Sequence, residues 1–200
     1  MQGIKPRYEF RVWAHTLASV HEKLGQLVQS KRTESEEKYL NSAATDKCNA
    51  KIRAALMDVK VLASMNRGLE QWKPILKAEF PLESSVIANQ VFPALEVAAP
   101  NLPKPAYQLD EFLSDIVQPS PEIIIVDVRK TRYQFSLGLC AAEYAQVTIN
   151  GVPRDTVAVE SVDADAVLQL VARLGITDGN TSYVREIKRV LDLVPQQSGA

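Results

Sequence analysis

The feature that most constrains this chain is a period of two in its charged residues. In Lys51-Ile52-Arg53-Ala54-Ala55-Leu56-Met57-Asp58-Val59-Lys60, Lys51 and Arg53 stand two apart, as do Asp58 and Lys60, and apolar residues fill most of the gaps. Successive side chains of a β-strand point to opposite faces, so this spacing gives strands with one apolar and one charged face. An amphipathic helix would space its apolar residues three and four apart, and this stretch does not. The same alternation governs Arg7-Tyr8-Glu9-Phe10-Arg11-Val12, where Arg7, Glu9 and Arg11 share a face. It returns in Lys130-Thr131-Arg132-Tyr133-Gln134-Phe135, within a run from Glu122 to Leu139 rich in isoleucine, valine and aromatics. A charged strand face has two explanations. It meets solvent in ordinary salt bridges, or several such faces converge inside a barrel and bind an anion.

Between these strands the period changes. From about Val12 to Ser30, Trp13, Leu17, Val20, Leu24 and Leu27 recur at helical spacing and predict an amphipathic helix. His15 and His21 lie on it six apart, which does not set them on one face as metal ligands. Lys31 to Glu37 reads as a charged, solvated loop leading into a strand around Glu36 to Ser42. A turn at 41–46, two strands or one bent strand from about Asn49 to Met65, and a turn at Asn66-Arg67-Gly68 follow. Leu69 to Leu76 is extended, with Pro74 marking a strand end or edge. Trp13 and Trp72 read as core residues, and Glu70 beside Trp72 as a surface one. A helical insertion at about 82–118 is broken by Pro93, Pro100, Pro103 and Pro105. Asn150-Gly151 is a hairpin turn joining strands 140–150 and 152–161. Asp163 and Gly175 cap a helix over 164–174, a helix from Thr181 to Leu193 follows, and 196–200 is a loose tail. The expected fold is α+β, one domain of 200 residues with an antiparallel meander and C-terminal helices at about 163–193.

Composition narrows the partners. A net charge of −1 gives no global argument for nucleic acid or an anionic membrane, so a basic site must be local and balanced by acids. No apolar run is long enough to span a bilayer, and the first residues carry no signal-peptide core. Two cysteines, Cys48 and Cys140, are too few for a disulfide framework, which points to a cytoplasmic setting. No Gly-rich phosphate loop, recognisable Ser–His–Asp set, His-x-x-x-His or Cys-x-x-Cys is present. What remains is a charge constellation on strands: Arg7, Arg11, Lys51, Arg53, Lys60, Lys130 and Arg132, with Glu9, Asp58, Glu143 and Glu160.

In this order the constellation resembles the CYTH superfamily, the triphosphate tunnel metalloenzymes, which includes thiamine triphosphatases and class IV adenylyl cyclases. That family opens with Glu-x-Glu-x-Lys, continues with basic pairs and a lysine strand, and closes on an acid and a Glu-x-Glu strand. Lys51-Ile52-Arg53 is similar to the first basic pair, Asp58-Val59-Lys60 to the lysine strand, and Lys130-Thr131-Arg132 to the second pair. Glu143 stands where the acid before the hairpin is expected, and Val157-Ala158-Val159-Glu160 resembles the final acidic strand. Two departures stand out. Arg7-Tyr8-Glu9-Phe10-Arg11 keeps one glutamate in either alignment, and Ala158 replaces the first acid of the last pair.

The resemblance implies an antiparallel β-barrel, a tunnel of about eight strands with flanking helices, spanning 1–200 as a single CYTH-like domain. It implies metal-assisted phosphoryl transfer on a triphosphate-containing or polyphosphate substrate. Lys51 and Lys130 would be catalytic. Arg11, Lys51, Arg53, Lys60, Lys130 and Arg132 would bind phosphate. Glu9, Glu143 and Glu160 would hold Mg²⁺ or Mn²⁺, or else serve as counter-charges without metal. The partner on this reading is a small anionic ligand: a triphosphate, nucleotide or polyphosphate. A non-catalytic polyphosphate- or nucleotide-binding module and an interaction protein that keeps only the barrel are the alternatives.

Overall fold

The computed structural model describes residues 6–192. Its strands are β1 (Tyr8–Ala14), β2 (Lys31–Ser42), β3 (Cys48–Arg53), β4 (Leu56–Asn66), β5 (Leu69–Glu79), β6 (Leu82–Glu83), β7 (Ala106–Tyr107), β8 (Ile123–Leu137), β9 (Cys140–Ile149) and β10 (Val152–Ser161). Its helices are α1 (Ala18–Leu27), α2 (84–94), α3 (109–117), α4 (Ala164–Leu174) and α5 (Tyr183–Val190); α2 and α3 each contain a π-helical turn. Eight strands close an antiparallel barrel in the order β1-β10-β9-β8-β2-β3-β4-β5, while β6 and β7 pair separately. Closure gives each of the eight barrel strands a neighbour on both sides.

The chain forms two compact units. One comprises the residues up to Glu36, Val61–Pro74 and Val128–Ser182; the other comprises Glu37–Lys60, Ile75–Asp127 and the residues from Tyr183.

In the first unit, α1 and α4 cover one face of the strands. Val12, Phe135, Ala142, Tyr144, Val157 and Val159 pack there with Val20, Leu24, Val167, Leu170 and Leu174. His21 of α1 stacks on Tyr144, with ring centroids 4.2 Å apart and planes 10° from parallel. Asp155 accepts from the Leu17 N–H at 2.8 Å and the Tyr144 hydroxyl at 2.9 Å, which anchors the start of α1. Asp163 caps α4 by accepting from the Asp165 and Ala166 N–H groups, and Gly175, at φ 73°, ends it. Period two then places Glu9, Arg11, Glu143, Lys130 and Arg132 on the opposite face, the interior of the barrel.

In the second unit the insertion supplies the cover. Leu40, Cys48, Ala50, Ile52, Met57 and Val59 pack against Leu82, Ile87, Phe92, Tyr107, Phe112 and Ile116. The Tyr183 ring of α5 stacks on Tyr39 at 5.6 Å, and Lys188 Nζ donates to the Thr45 carbonyl at 2.8 Å and to Asp46 at 2.6 Å.

Three expectations are corrected. Trp13 lies on β1 and not on a helix. Register with β10 runs to Ala14↔Asp155, the Thr181 N–H donates to the Arg11 carbonyl at 2.8 Å, and the Trp13 indole donates to the Thr181 carbonyl at 3.0 Å. These tertiary bonds hold the chain extended where its apolar spacing alone reads as helix, so α1 begins only at Ala18. Lys31 to Glu37 is strand and not loop, because β2 takes a place in the closed barrel. Pro74 lies inside β5 and does not end it; among the described residues the pairing of β5 with β1 covers Gln71 and Glu70. The expected tail at 196–200 and the end of the last helix at Leu193 lie outside the described residues.

Candidate functional site

The register of the first unit sets interior side chains in rows. Arg11, Ala158, Glu143 and Gln134 form one row across β1, β10, β9 and β8. Trp13, Thr156, Ala145 and Arg132 form the next, and Arg154, Val147 and Lys130 the one after. Alanines at 145 and 158 leave space between the long charged side chains. Arg11 uses that space. It is 7% exposed, its Nε donates to Glu9 Oε1 at 2.8 Å, and its Nη1 donates to Thr156 Oγ1 at 3.3 Å. The same Nη1 lies 3.7 Å from Glu143 Oε1, reached across Ala158. Glu143 Oε2 is in turn 3.9 Å from Arg132 Nη1. Acid and guanidinium therefore alternate through Glu9, Arg11, Glu143 and Arg132.

Arg132 is the member left incomplete. Its buried Nε has no hydrogen-bond partner among the described residues. Leaving a buried donor unmatched costs about 1–3 kcal/mol, so this N–H favours any acceptor oxygen that reaches it. Lys130, 5% exposed, sits one row deeper, where Val128, Val147 and Ile149 are buried. Lys130 and Arg154 also line an open cleft of about 820 Å³, together with His15, Arg129, Thr131 and Asp155.

Two further acids of this unit, Glu160 and Glu70, stand on either side of Glu9. Glu160 pairs with Arg7 at 2.9 Å, both partly exposed. Glu70, expected at the surface, is 1% exposed and directly opposite Glu9, which is itself opposite Glu160. The Trp72 indole donates to Glu70 Oε2 at 3.1 Å. Among the described residues, no three His, Cys, Asp or Glu side chains are grouped to hold a metal ion. Glu9 and Glu143 flank one guanidinium, and Glu160 lies with Arg7.

In the second unit, Glu37 is the residue missed by sequence. Its side chain is fully buried and meets Lys51 Nζ at 3.3 Å and Arg53 Nη1 at 3.5 Å across the β2–β3 register. Lys51 lies over the Tyr39 ring at 5.8 Å. Burial holds the Lys51 ammonium below the usual lysine range; Glu37 and Asp58 oppose that fall, and Arg53 and Lys60 add to it. Lys51 and Arg53 thus share one buried carboxylate, and the charges of Asp58 and Lys60 are close enough to act on Lys51. Glu37 and Glu70 escape a sequence reading because each sits in a charged or mixed context, and only strand register reveals which face it takes.

No family model and no curated protein matches the sequence. Solved structures match over nearly the whole chain. HpAC1 from Hippeastrum, a candidate adenylyl cyclase with a dominant triphosphatase activity, superposes with a TM-score of 0.53 at 11% identity, covering 97% of this chain and 100% of its own. The candidate adenylate cyclase bh2851 from Bacillus halodurans gives 0.50 at 12% identity, with 93% and 98% covered. PH1819 from Pyrococcus horikoshii OT3 gives 0.50 at 12%, with 92% and 99% covered. The likeness is one of fold, and it bears out the barrel that the resemblance to the CYTH superfamily implied.

Proposed function

We propose that this chain binds a triphosphate-containing anion through the basic side chains on the interior of its barrel. The observation that carries this reading is the buried, unmatched Nε of Arg132, on the strand that also presents Lys130. A phosphate oxygen satisfies such a donor, and a guanidinium can take two at once. Lys51, Arg53 and Lys60 form the corresponding phosphate-binding set of the second unit, as Arg11, Lys130 and Arg132 do in the first. Two unit charges about 4 Å apart attract by ~4 kcal/mol at an effective dielectric near 20, against ~1 kcal/mol in water, so interior contacts count for more.

Hydrolysis is the second reading, favoured by the dominant triphosphatase activity of HpAC1, which shares the fold. On this reading water attacks the terminal phosphorus, a new P–O bond forms as the bond to the departing diphosphate breaks, the water's proton passes to the phosphate products, and Lys130 in the first unit, or Lys51 in the second, offsets the charge that develops on phosphate oxygens. The expected Mg²⁺ or Mn²⁺ site at Glu9, Glu143 and Glu160 does not fit the arrangement of these side chains. All three carboxylates are engaged by guanidiniums: Glu9 and Glu143 by that of Arg11, Glu143 also by that of Arg132, and Glu160 by that of Arg7. No step is therefore written through a metal.

The test is a thermal-shift and phosphate-release screen with inorganic triphosphate, thiamine triphosphate, ATP and long-chain polyphosphate. Saturation at about 100 times Kd stabilises a protein by roughly 2.7 kcal/mol, which such a screen detects. The wild type is expected to shift with triphosphate, and Arg132→Ala and Lys130→Ala to lose the shift. No shift with any polyanion removes the binding reading; a shift without phosphate release removes hydrolysis alone.

A further inference from the structure

In one of the two alignments of its first strand, the chain departs from the acidic pattern it resembles at Arg11 as well as at Ala158, and the fold brings these two positions together. The two residues are direct cross-strand partners between β1 and β10. Because Ala158 has no side chain beyond Cβ, the Arg11 side chain passes over it toward Glu143, on the next strand of the same row. The guanidinium then lies between two carboxylates, Glu9 on one side at 2.8 Å and Glu143 on the other at 3.7 Å. Its place is fixed from behind. The Arg11 backbone N–H donates to Asn180 Oδ1 at 2.8 Å, its carbonyl accepts from Thr181, and Nη1 also donates to the buried Thr156 hydroxyl.

We propose that the Arg11 guanidinium, seated between Glu9 and Glu143, is a resident cation in the place a divalent metal would take, so that the barrel binds its phosphorylated ligand without a metal ion. This inference rests on the triphosphate-binding reading. A hard divalent cation needs carboxylate oxygens at about 2.0–2.6 Å, and these two carboxylates are turned to a guanidinium instead. Arginine stays protonated at any working pH, so this cation is not titrated away. Two acids and two guanidiniums, Glu9, Glu143, Arg11 and Arg132, offset one another, and Arg132 keeps a donor for the ligand. Lys130 adds a further positive charge on the same strand.

The test measures inorganic triphosphate binding to the full chain by calorimetry, in EDTA and in excess Mn²⁺, and Mn²⁺ uptake without ligand by electron paramagnetic resonance. The wild type is expected to bind triphosphate fully in EDTA, to gain no affinity from Mn²⁺, and to leave the free Mn²⁺ signal unchanged in the absence of ligand, since no bond from the protein to the metal enters its affinity. The Arg11→Glu/Ala158→Glu double variant is expected to take up Mn²⁺. Arg11→Gln preserves most of the volume and removes the charge. Its triphosphate affinity is expected to fall about tenfold or more in EDTA and to recover with Mn²⁺, as loss of a buried charged contact predicts. Triphosphate binding that requires Mn²⁺, Mn²⁺ uptake by the wild type, or an unchanged Arg11→Gln affinity in EDTA each overturns the inference and leaves the binding reading standing. Absence of triphosphate binding by the wild type in both conditions overturns the two together.

Discussion

Lys51 shows how burial and charge compete at one residue. Burial lowers its pKa, from an ordinary value of 10.5, more than Glu37 restores it. The folded chain therefore releases this proton at lower pH than the unfolded chain. Between the folded pKa and 10.5 the unfolded state binds more protons, so the Lys51 contribution to stability rises with pH over that window. Ligand binding runs the other way, since a neutral amine no longer attracts phosphate. Triphosphate affinity is expected to fall as pH climbs toward 10.5, and Lys51→Arg to make that fall smaller, because arginine keeps its charge. Calorimetric titrations across this range check the point; an unchanged pH profile in Lys51→Arg would remove Lys51 from the site. Glu37 is the complementary case. Replacing it by Gln leaves Lys51 and Arg53 without their buried counter-charge, and a broken buried pair costs roughly 3 kcal/mol, the low end of the range because Arg53 is partly exposed. Urea midpoints for Glu37→Gln should show that loss, and added triphosphate should recover part of it. Neither residue's pairing was legible in the sequence. Alternation gave Lys51 and Arg53 a common face, but the partner on that face depended on the pairing of Tyr39 with Lys51 and Glu37 with Arg53, which a charged run from Lys31 to Lys38 conceals.

At the scale of elements, local signals were legible where chemistry forces the backbone and misleading where tertiary bonds overrule it. Asn150-Gly151 turns with φ of 44° and 84°, as its residue types require. The β3–β4 turn reaches left-handed backbone with two alanines instead, at φ 48° for Ala54 and 56° for Ala55, and no Gly or Asn announced it. Left-handed alanine costs about 1–2 kcal/mol per residue, so Ala55→Gly is expected to stabilise the chain, and each kcal/mol moves Tm by roughly 2–4 °C at this length. A fall in Tm would mean that the turn does not hold this conformation. The Asp163 cap was legible for the same reason as Asn150-Gly151: a short acceptor stands just before an apolar helical period. Asp163→Ala is expected to cost about 1 kcal/mol in chemical denaturation, through two lost N–H acceptor contacts at Asp165 and Ala166. Trp13 is the opposite case. Its helical spacing from Leu17 and Val20 is real, but Thr181 and the β10 ladder keep it extended.

For the whole molecule, much of the order of elements was readable because β1, β3, β4 and β8 carry their own alternation, whereas the meeting of Arg11 with Ala158 needed a register set by residues about 150 positions apart in sequence. The barrel also decides what kind of anion the basic strands can meet. Net charge is −1, so the surface as a whole offers no pull on a polyanion, and the cations named above lie on strand faces turned away from the helices. An eight-stranded barrel has an interior about wide enough for packed side chains or one small ligand. A linear triphosphate fits that description and a nucleic-acid duplex does not. Binding of labelled triphosphate is therefore expected to be displaced by unlabelled triphosphate and resisted by duplex DNA at the same phosphate concentration. Salt should weaken it less steeply than an exposed basic patch would, because buried charges are less screened. Displacement by duplex DNA, with a steep loss between low and physiological salt, would place the basic contacts on an outer surface. It would also return Lys51, Arg53, Lys130 and Arg132 to the solvent-facing explanation that their alternation alone allows.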